Sequence, residues 1–588
     1  MARRLMVVVL EREKVLFGRR HFMAGKVAIG IQSFEKIIEN NCFYVDKTSF
    51  IKEWWESGDD VTLIARPRRF GKTLNVSMLE QFFSVDYKDR GDLFEGLSIW
   101  QEEKYRKLQG TYPVISLSFA SVKENDYLST KQRICTLIAE LYNAHWYLLE
   151  SNVLKENEKK DYIEITEQKE NMSEVIASTA IYNLSNYLSR YYVKKVIILL
   201  DEYDTPMQEA YVNGFWDELV SFTRSLFNST FKTYPYLERA IMTGITRVSK
   251  ESFFSDLNNL EVVTTTSDKY ATAFGFTEEE VYKALEDYGY GDKKELVKTW
   301  YDGFTFGSTT DIYNPWSILN FLSKGKIDIY WANTSSNSLV SKLLKEGNKR
   351  IKTTFEKLLK GEVITCPIDE QIVYNQLDRT GEAVWSLLLA SGYLKVLSTE
   401  KVELVVSGYP KYELMLTNLE VKRMFENMVH GWFYEPDESY NDFVEALLSG
   451  DIKAMNVYMN RVALQTFSYF DTGKNPSRED PERFYHGFVL GLLVDLAGDY
   501  TVTSNRESGF GRYDVMIEPK DIKKNPAFIL EFKVYDRDDE TTLADTVSAA
   551  LAQIEEKQYE ASLTAKGIPS DNIRKYGFAF EGKKVLIG

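Results

Sequence analysis

Two groups of polar residues in this chain have the types and spacing of chemistry rather than of solvation. The first is Ala65-Arg66-Pro67-Arg68-Arg69-Phe70-Gly71-Lys72-Thr73, which follows the apolar run VTLI and opens the helix-patterned stretch LNVSMLEQFF. A turn between strand and helix that ends in Gly-Lys-Thr turns backbone N–H groups and a helix N-terminus toward an anion. Lys72 can reach the β and γ phosphates of a nucleotide, and the Thr73 hydroxyl can ligate Mg2+. Arg69 and Gly71 are counted with them as nucleotide-contacting positions. The usual spelling has a glycine five positions before Gly71, where this chain has Arg66, so the match is partial. Further on, VIILL runs into Asp201-Glu202. An Asp at a strand end can hold Mg2+ through water, and the following Glu can orient an attacking water. A third apolar run ends in Thr243-Gly244-Ile245-Thr246-Arg247, which is expected to bring Thr246 and Arg247 beside the γ phosphate.

The second group lies near the C-terminus. Asp514 sits in the alternating segment GRYDVMI, and Glu531 and Lys533 sit in AFILEFKV. Residues two apart in a strand share a face, so Glu531 and Lys533 point one way and Phe532 the other. With Asp514 on a neighbouring strand, two carboxylates can hold Mg2+, a hard cation that takes oxygen ligands and keeps several waters. Lys533 can then orient or deprotonate a water and offset developing charge. The plainer readings are an edge strand with an ordinary Glu/Lys pair, a solvated DEYD strand end and a basic surface turn at RPRRFGKT. Against them, AFILEFKV is apolar except at the two positions that share a face, and burying charge there is costly without a partner or a metal.

Elements of two kinds must position these groups. Short apolar strands at VTLIA, TYPVISLSFA, VKKVIILLD and LERAIMTG alternate with helical stretches, a pattern expected to give a parallel α/β sheet with ligands at the strand C-termini. Residues 266–425 read as mainly helical. From residue 426 the order is helix, strands at TVTSNRES, YDVMIEP and AFILEFKVYD, the helix LADTVSAALAQIEEKQY, and one final strand in GFAFEGKKVLIG. The 588 residues exceed one core, and 44% hydrophobic content argues against disorder. A net charge of −15 counts against a tight non-specific grip on long nucleic acid, which favours basic surface. Three scattered cysteines and four scattered histidines support neither a disulfide framework nor a zinc site, and a reducing, cytoplasmic setting is expected. No apolar run reaches the roughly 20 residues that span a bilayer, so no membrane partner is expected. Residues 1–25 read as an N-terminal extension, with Met23 an alternative start of translation.

The segments YVDKTSFI, RPRRFGKT, LLDEYDTP and TGITRVSKESFFSDLNNL, with WYDGFTFG and YNPWSILNFL, resemble the AAA-ATPase-like domain common in bacterial proteins of unassigned role. That family belongs to the P-loop NTPases, so the resemblance implies ATP as ligand. ESGFGRYDVMI, ILEFKV and LADTVSAALAQIEEKQY are similar to the PD-(D/E)XK nuclease domain that follows AAA-ATPase-like domains in the same family. By that resemblance Asp514, Glu531 and Lys533 form a nuclease core, Gln553 is an accessory polar group and Glu482 a further metal-side acid. The expected architecture is α/β: a P-loop NTPase-like parallel sheet domain at 26–265, a helical lid or linker at 266–425, and a small restriction-endonuclease-like α/β domain at 426–588. The expected function is Mg2+-dependent phosphodiester hydrolysis gated by ATP, with DNA placed ahead of RNA and a homo-oligomer left open. The competing expectation is a regulatory ATP-binding module whose nuclease fold is not catalytic.

Overall fold

A computed structural model describes residues 25–232, 234–246, 257–332, 338–347, 349–369, 383–398, 411–431, 441–466, 499–508, 511–536, 540–582 and 584–588, with the single positions 489, 493 and 496. The expected extension, apart from Gly25, lies outside the described residues, as do Arg247 and Glu482. The chain divides into two compact units. One runs to Val340 and resumes over Val363–Lys422; the other comprises Ser341–Glu362 and Arg423–Gly588.

In the first unit, β1 (Val61–Ala65), β2 (Val114–Ser118), β3 (Val196–Asp201), β4 (Leu237–Gly244) and β5 (Leu260–Val263) form a sheet in the order β2-β3-β4-β1-β5. Every pairing is parallel. β1 and β3 are buried at every residue, as expected of a sheet covered on both faces. β4 lies between β1 and β3, so the three C-terminal ends converge on the start of the helix Lys72–Phe83. The middle of the chain is helical, and it also carries two small antiparallel sheets. These are β6 (Phe276–Thr277), β7 (Phe304–Phe306) and β8 (Thr309–Tyr313) in the order β6-β8-β7, and β9 (Ile364–Pro367), β10 (Leu394–Ser398) and β11 (Lys411–Leu416) in the order β10-β11-β9.

The second unit is built on β12 (Tyr500–Ser508), β13 (Gly511–Pro519), β14 (Ala527–Val534), β15 (Ile573–Glu581) and β16 (Lys584–Ile587), in that order across the sheet. β14 and β15 are parallel and the other pairs antiparallel. The expected single final strand is therefore a hairpin, because GFAFEGKKVLIG turns at Gly582, whose φ is 60°. Phe528, Leu530 and Phe532 face one core, while Ala527 and Ile529 face another that includes Ile554 and Tyr559. The edge strand β16 is covered rather than left open. Asn456 and Asn460, one turn apart on the helix Ile452–Thr466, each exchange two hydrogen bonds with its backbone, at Ile587 and Val585. Among the described residues no helix is long and apolar enough to cross a membrane.

Candidate functional site

At the C-terminal end of the parallel sheet, β1 passes into Arg66–Phe70, and Gly71 is the N-cap of the helix Lys72–Phe83. Gly71 has φ 83°, a left-handed conformation that glycine takes without steric cost. Lys72 is buried, and its Nζ donates to the carbonyls of Arg66 and Pro67, both at 2.9 Å. Burial pulls the Lys72 pKa down, while Glu202, Asp204 and Asp201 pull it back. Thr73 Oγ1 donates to Asp201 Oδ2 at 2.7 Å, and Thr243 Oγ1 donates to the other carboxylate oxygen. Asp201 is 2% exposed, and burial raises its pKa against those two hydroxyls. Glu202 follows with φ 51°, its N–H donating to Thr243 Oγ1 at 3.3 Å. The strand ends thus join Thr73, Asp201 and Thr243 in one polar chain beside Lys72 and Glu202. A hydroxyl and a carboxylate, both hard oxygen donors, are the chemistry that suits Mg2+.

One expectation at this end needs correction. Thr246 is fully buried, and both its N–H and its hydroxyl donate to Asp204 Oδ2, so its polar groups are committed inside the protein. Thr243, three residues earlier, is the β4 residue beside Asp201, because β4 lies between β1 and β3 and puts Thr243 level with Asp201. Arg66, which stands where the usual spelling has a glycine, is turned into the protein. Its side chain is fully buried, donates to the carbonyls of Thr264 and Lys269, and lies 4.3 Å from the Phe306 ring centroid. Desolvation lowers its pKa to about 9. Arg69 is exposed, with φ 65° and its guanidinium 4.1 Å from the Trp316 ring centroid.

In the second unit, β13 and β14 pair in antiparallel register through Val515↔Leu530, which sets Asp514 opposite Glu531 one step further on. Asp514 Oδ2 accepts the Phe532 N–H at 2.8 Å. Burial pushes its pKa up to about 6, against that hydrogen bond and the nearby Lys533 charge. Glu531 is 3% exposed, on the β14 face that packs under the helix Leu543–Glu556. From that helix Gln553 Nε2 donates to Glu531 Oε1 and, at 3.1 Å, to the hydroxyl of buried Tyr559. The structure therefore gathers Asp514, Glu531, Lys533 and Gln553. Tyr559 is not singled out by the sequence; its only mark there is its place at the end of the helix that carries Gln553. Two carboxylates on adjacent strands supply the oxygen donors Mg2+ takes. A different acidic group, Glu278, Asp302 and Asp311 in the first unit, already has Lys298 among it, 3.6 Å from Asp311 and paired with Glu278.

Residues 28–254 match the AAA-ATPase-like family model, described as "Predicted AAA-ATPase", and residues 480–588 match the PD-(D/E)XK nuclease superfamily. Over 552 residues the chain is 24% identical to an uncharacterized protein in the vnfD 5′ region of Azotobacter chroococcum mcd 1, covering 92% of this chain and 95% of that one. A solved STAND (Signal Transduction ATPase with Numerous Domains) protein with a tetratricopeptide repeat sensor, from Pyrococcus horikoshii, is 14% identical with a TM-score of 0.22. That match covers 75% of this chain and spans about half, 53%, of the other.

Proposed function

We propose that this chain, an AAA-ATPase-like domain followed by a PD-(D/E)XK nuclease superfamily domain, binds MgATP at the end of its parallel sheet and uses that nucleotide to control phosphodiester hydrolysis at its C-terminal site. At the nucleotide site Lys72 would exchange the loop carbonyls for phosphate oxygens. Thr73 and Asp201 would hold Mg2+, with Thr243 fixing the carboxylate, and Glu202 would orient a water. At the second site Asp514 and Glu531 would hold Mg2+, which when bound supplies Lewis acidity and a water of lowered pKa. Gln553 fixes the Glu531 carboxylate, so that ligand is aimed before metal arrives. Lys533 shares the Glu531 face and offsets charge that develops on phosphorus.

The observation that carries the reading is Glu531. It is an acid at 3% exposure among the buried apolar residues of β14, held by a glutamine from the covering helix and facing a second, half-buried acid. The test is cleavage of labelled single- and double-stranded DNA and RNA by the full-length chain with Mg2+ or Mn2+ and ATP. The reading expects at least one substrate to be cut, with a loss of about a thousandfold or more in Glu531→Ala. Wild type and Glu531→Ala behaving alike on all four substrates would sink it.

A further inference from the structure

The outer side of the phosphate loop is not left to solvent. The carbonyl of Arg68 accepts from the indole Nε1 of Trp331 at 2.9 Å and from Nδ2 of Asn314 at 3.3 Å. None of the loop's peptides is cis, and in a trans peptide the C=O and the following N–H point in opposite directions. Pinning the Arg68 carbonyl on these two donors therefore turns the Arg69 N–H away from them. Among the described residues no oxygen is seen to accept from the N–H groups of Arg69 or Gly71, which lead into a helix N-terminus, while the Phe70 N–H closes the turn toward the Pro67 carbonyl. Unengaged N–H groups so placed make an anion cradle.

Both donors are themselves fixed. Asn314 is fully buried and uses its Oδ1 to cap the helix Pro315–Lys324, accepting from the N–H groups of Trp316 and Ser317. The Trp331 ring is wedged between Phe304 and Tyr393, with centroids 5.2 and 5.5 Å away. Behind them lies the buried carboxylate of Glu420, which accepts from the N–H of Tyr330 at 2.7 Å, of Trp331 at 2.6 Å and from Ser317 Oγ at 2.8 Å. One acid thus ties the segment bearing Trp331 to the helix capped by Asn314.

We infer that Trp331 and Asn314 are positioning residues for the phosphate site: they hold the Arg68–Arg69 peptide so that its N–H serves a bound phosphate, and Glu420 locks the pair in register. The inference rests on the nucleotide reading above. Neither residue lies in the loop or in the parallel sheet; both come from the middle region that closes over it.

The test is calorimetric titration of the full-length chain with MgADP, alongside amide hydrogen exchange. Trp331→Phe keeps the ring in its aromatic slot and loses only the N–H donor. Asn314→Ser keeps an oxygen to cap the helix and loses the amide donor. Each is expected to weaken MgADP binding about tenfold. The slowing of Arg69 amide exchange by MgADP is expected to shrink with it, while the helical Asn75 amide and the melting temperature without nucleotide stay as in wild type. If Asn314→Ser lowers that melting temperature, Trp331→Phe alone decides. Wild-type affinity and wild-type Arg69 protection in Trp331→Phe would overturn the inference, provided Lys72→Ala abolishes binding. A wild type that binds no MgADP, or binds it regardless of Lys72, removes the nucleotide reading and the inference with it.

Discussion

Glu420 shows how a buried charge sets a pH dependence. Its carboxyl is pushed up to about 7 because desolvation outweighs the donors aimed at it from Ser317 and the backbone of Trp331, Ala332 and Tyr330. The titratable groups near it are Tyr301 and Tyr330, both raised by burial and so neutral in this range. A folded pKa above the unfolded value of 4.5 means that the folded state binds the proton more tightly. The resulting stability is fully present below about pH 4.5 and is lost as pH rises through about 7. The melting temperature of the unit holding Glu420 should therefore fall between pH 6 and 8, and Glu420→Gln should flatten that fall. Glutamine can keep its oxygen on the three N–H groups while its amide meets Ser317 Oγ. A slope that is unchanged in Glu420→Gln would show that another group titrates. At this scale the sequence is a partial guide. Lys72, Thr73, Asp201, Asp514 and Glu531 stand out by motif spacing and Gln553 only by the family resemblance, and the structure brings them into two clusters. Thr243 is passed over in favour of Thr246 because the choice depends on strand order, which no local pattern states. The fate of Arg66 is equally hidden, since its partners at Thr264 and Lys269 lie some two hundred residues away, with sequence separations of 198 and 203.

Among the elements, the turn from β1 into the helix Lys72–Phe83 carries most of the design, and two glycines there separate backbone from packing. Gly71 has φ 83°, and a Cβ added to it would meet nothing within 4 Å, so Gly71→Ala meets only backbone strain. Gly244, at the end of β4, would place a Cβ 2.6 Å from the Tyr203 ring and 2.8 Å from Asp204 Oδ1. Gly71→Ala should thus fold with a loss of about 1–2 kcal/mol in urea unfolding, and Gly244→Ala should lose clearly more. Equal losses would contradict this division. The apolar strands of the parallel sheet are readable because burial on both faces writes continuous runs such as VTLIA and VIILL. β5 is not: at the sheet edge only Val263 of its four residues is buried, and LEVV leaves no such run. The small sheets of the middle region are hidden for the same reason, since strands of two to six residues, such as Phe276–Thr277 and Phe304–Phe306, fall below any periodic signal. The final hairpin reads as one strand because its turn, Gly582 with its neighbours, is flanked by charged residues that also suit an exposed strand.

For the whole molecule, the acidic balance of −15 bears on how nucleic acid would be held. In the second unit Lys566 pairs with Glu518, and Lys575 pairs with both Glu555 and Glu560, so these cations are already answered within the protein. On the proposed reading, affinity comes from the metal site more than from counterion release, and cleavage should depend only modestly on salt. The two-part organisation is legible because each part carries its own motif set, and the two family matches fall on those parts. The central claim is that the nucleotide governs the nuclease site, and one measurement meets it directly: the initial rate of DNA cleavage in Mg2+ with and without ATP, in wild type and Lys72→Ala. The account predicts a wild-type rate that changes at least about tenfold with ATP and a Lys72→Ala rate indifferent to it, with Glu531→Ala inactive throughout. Cleavage that proceeds at one rate with or without ATP in the wild type would contradict it.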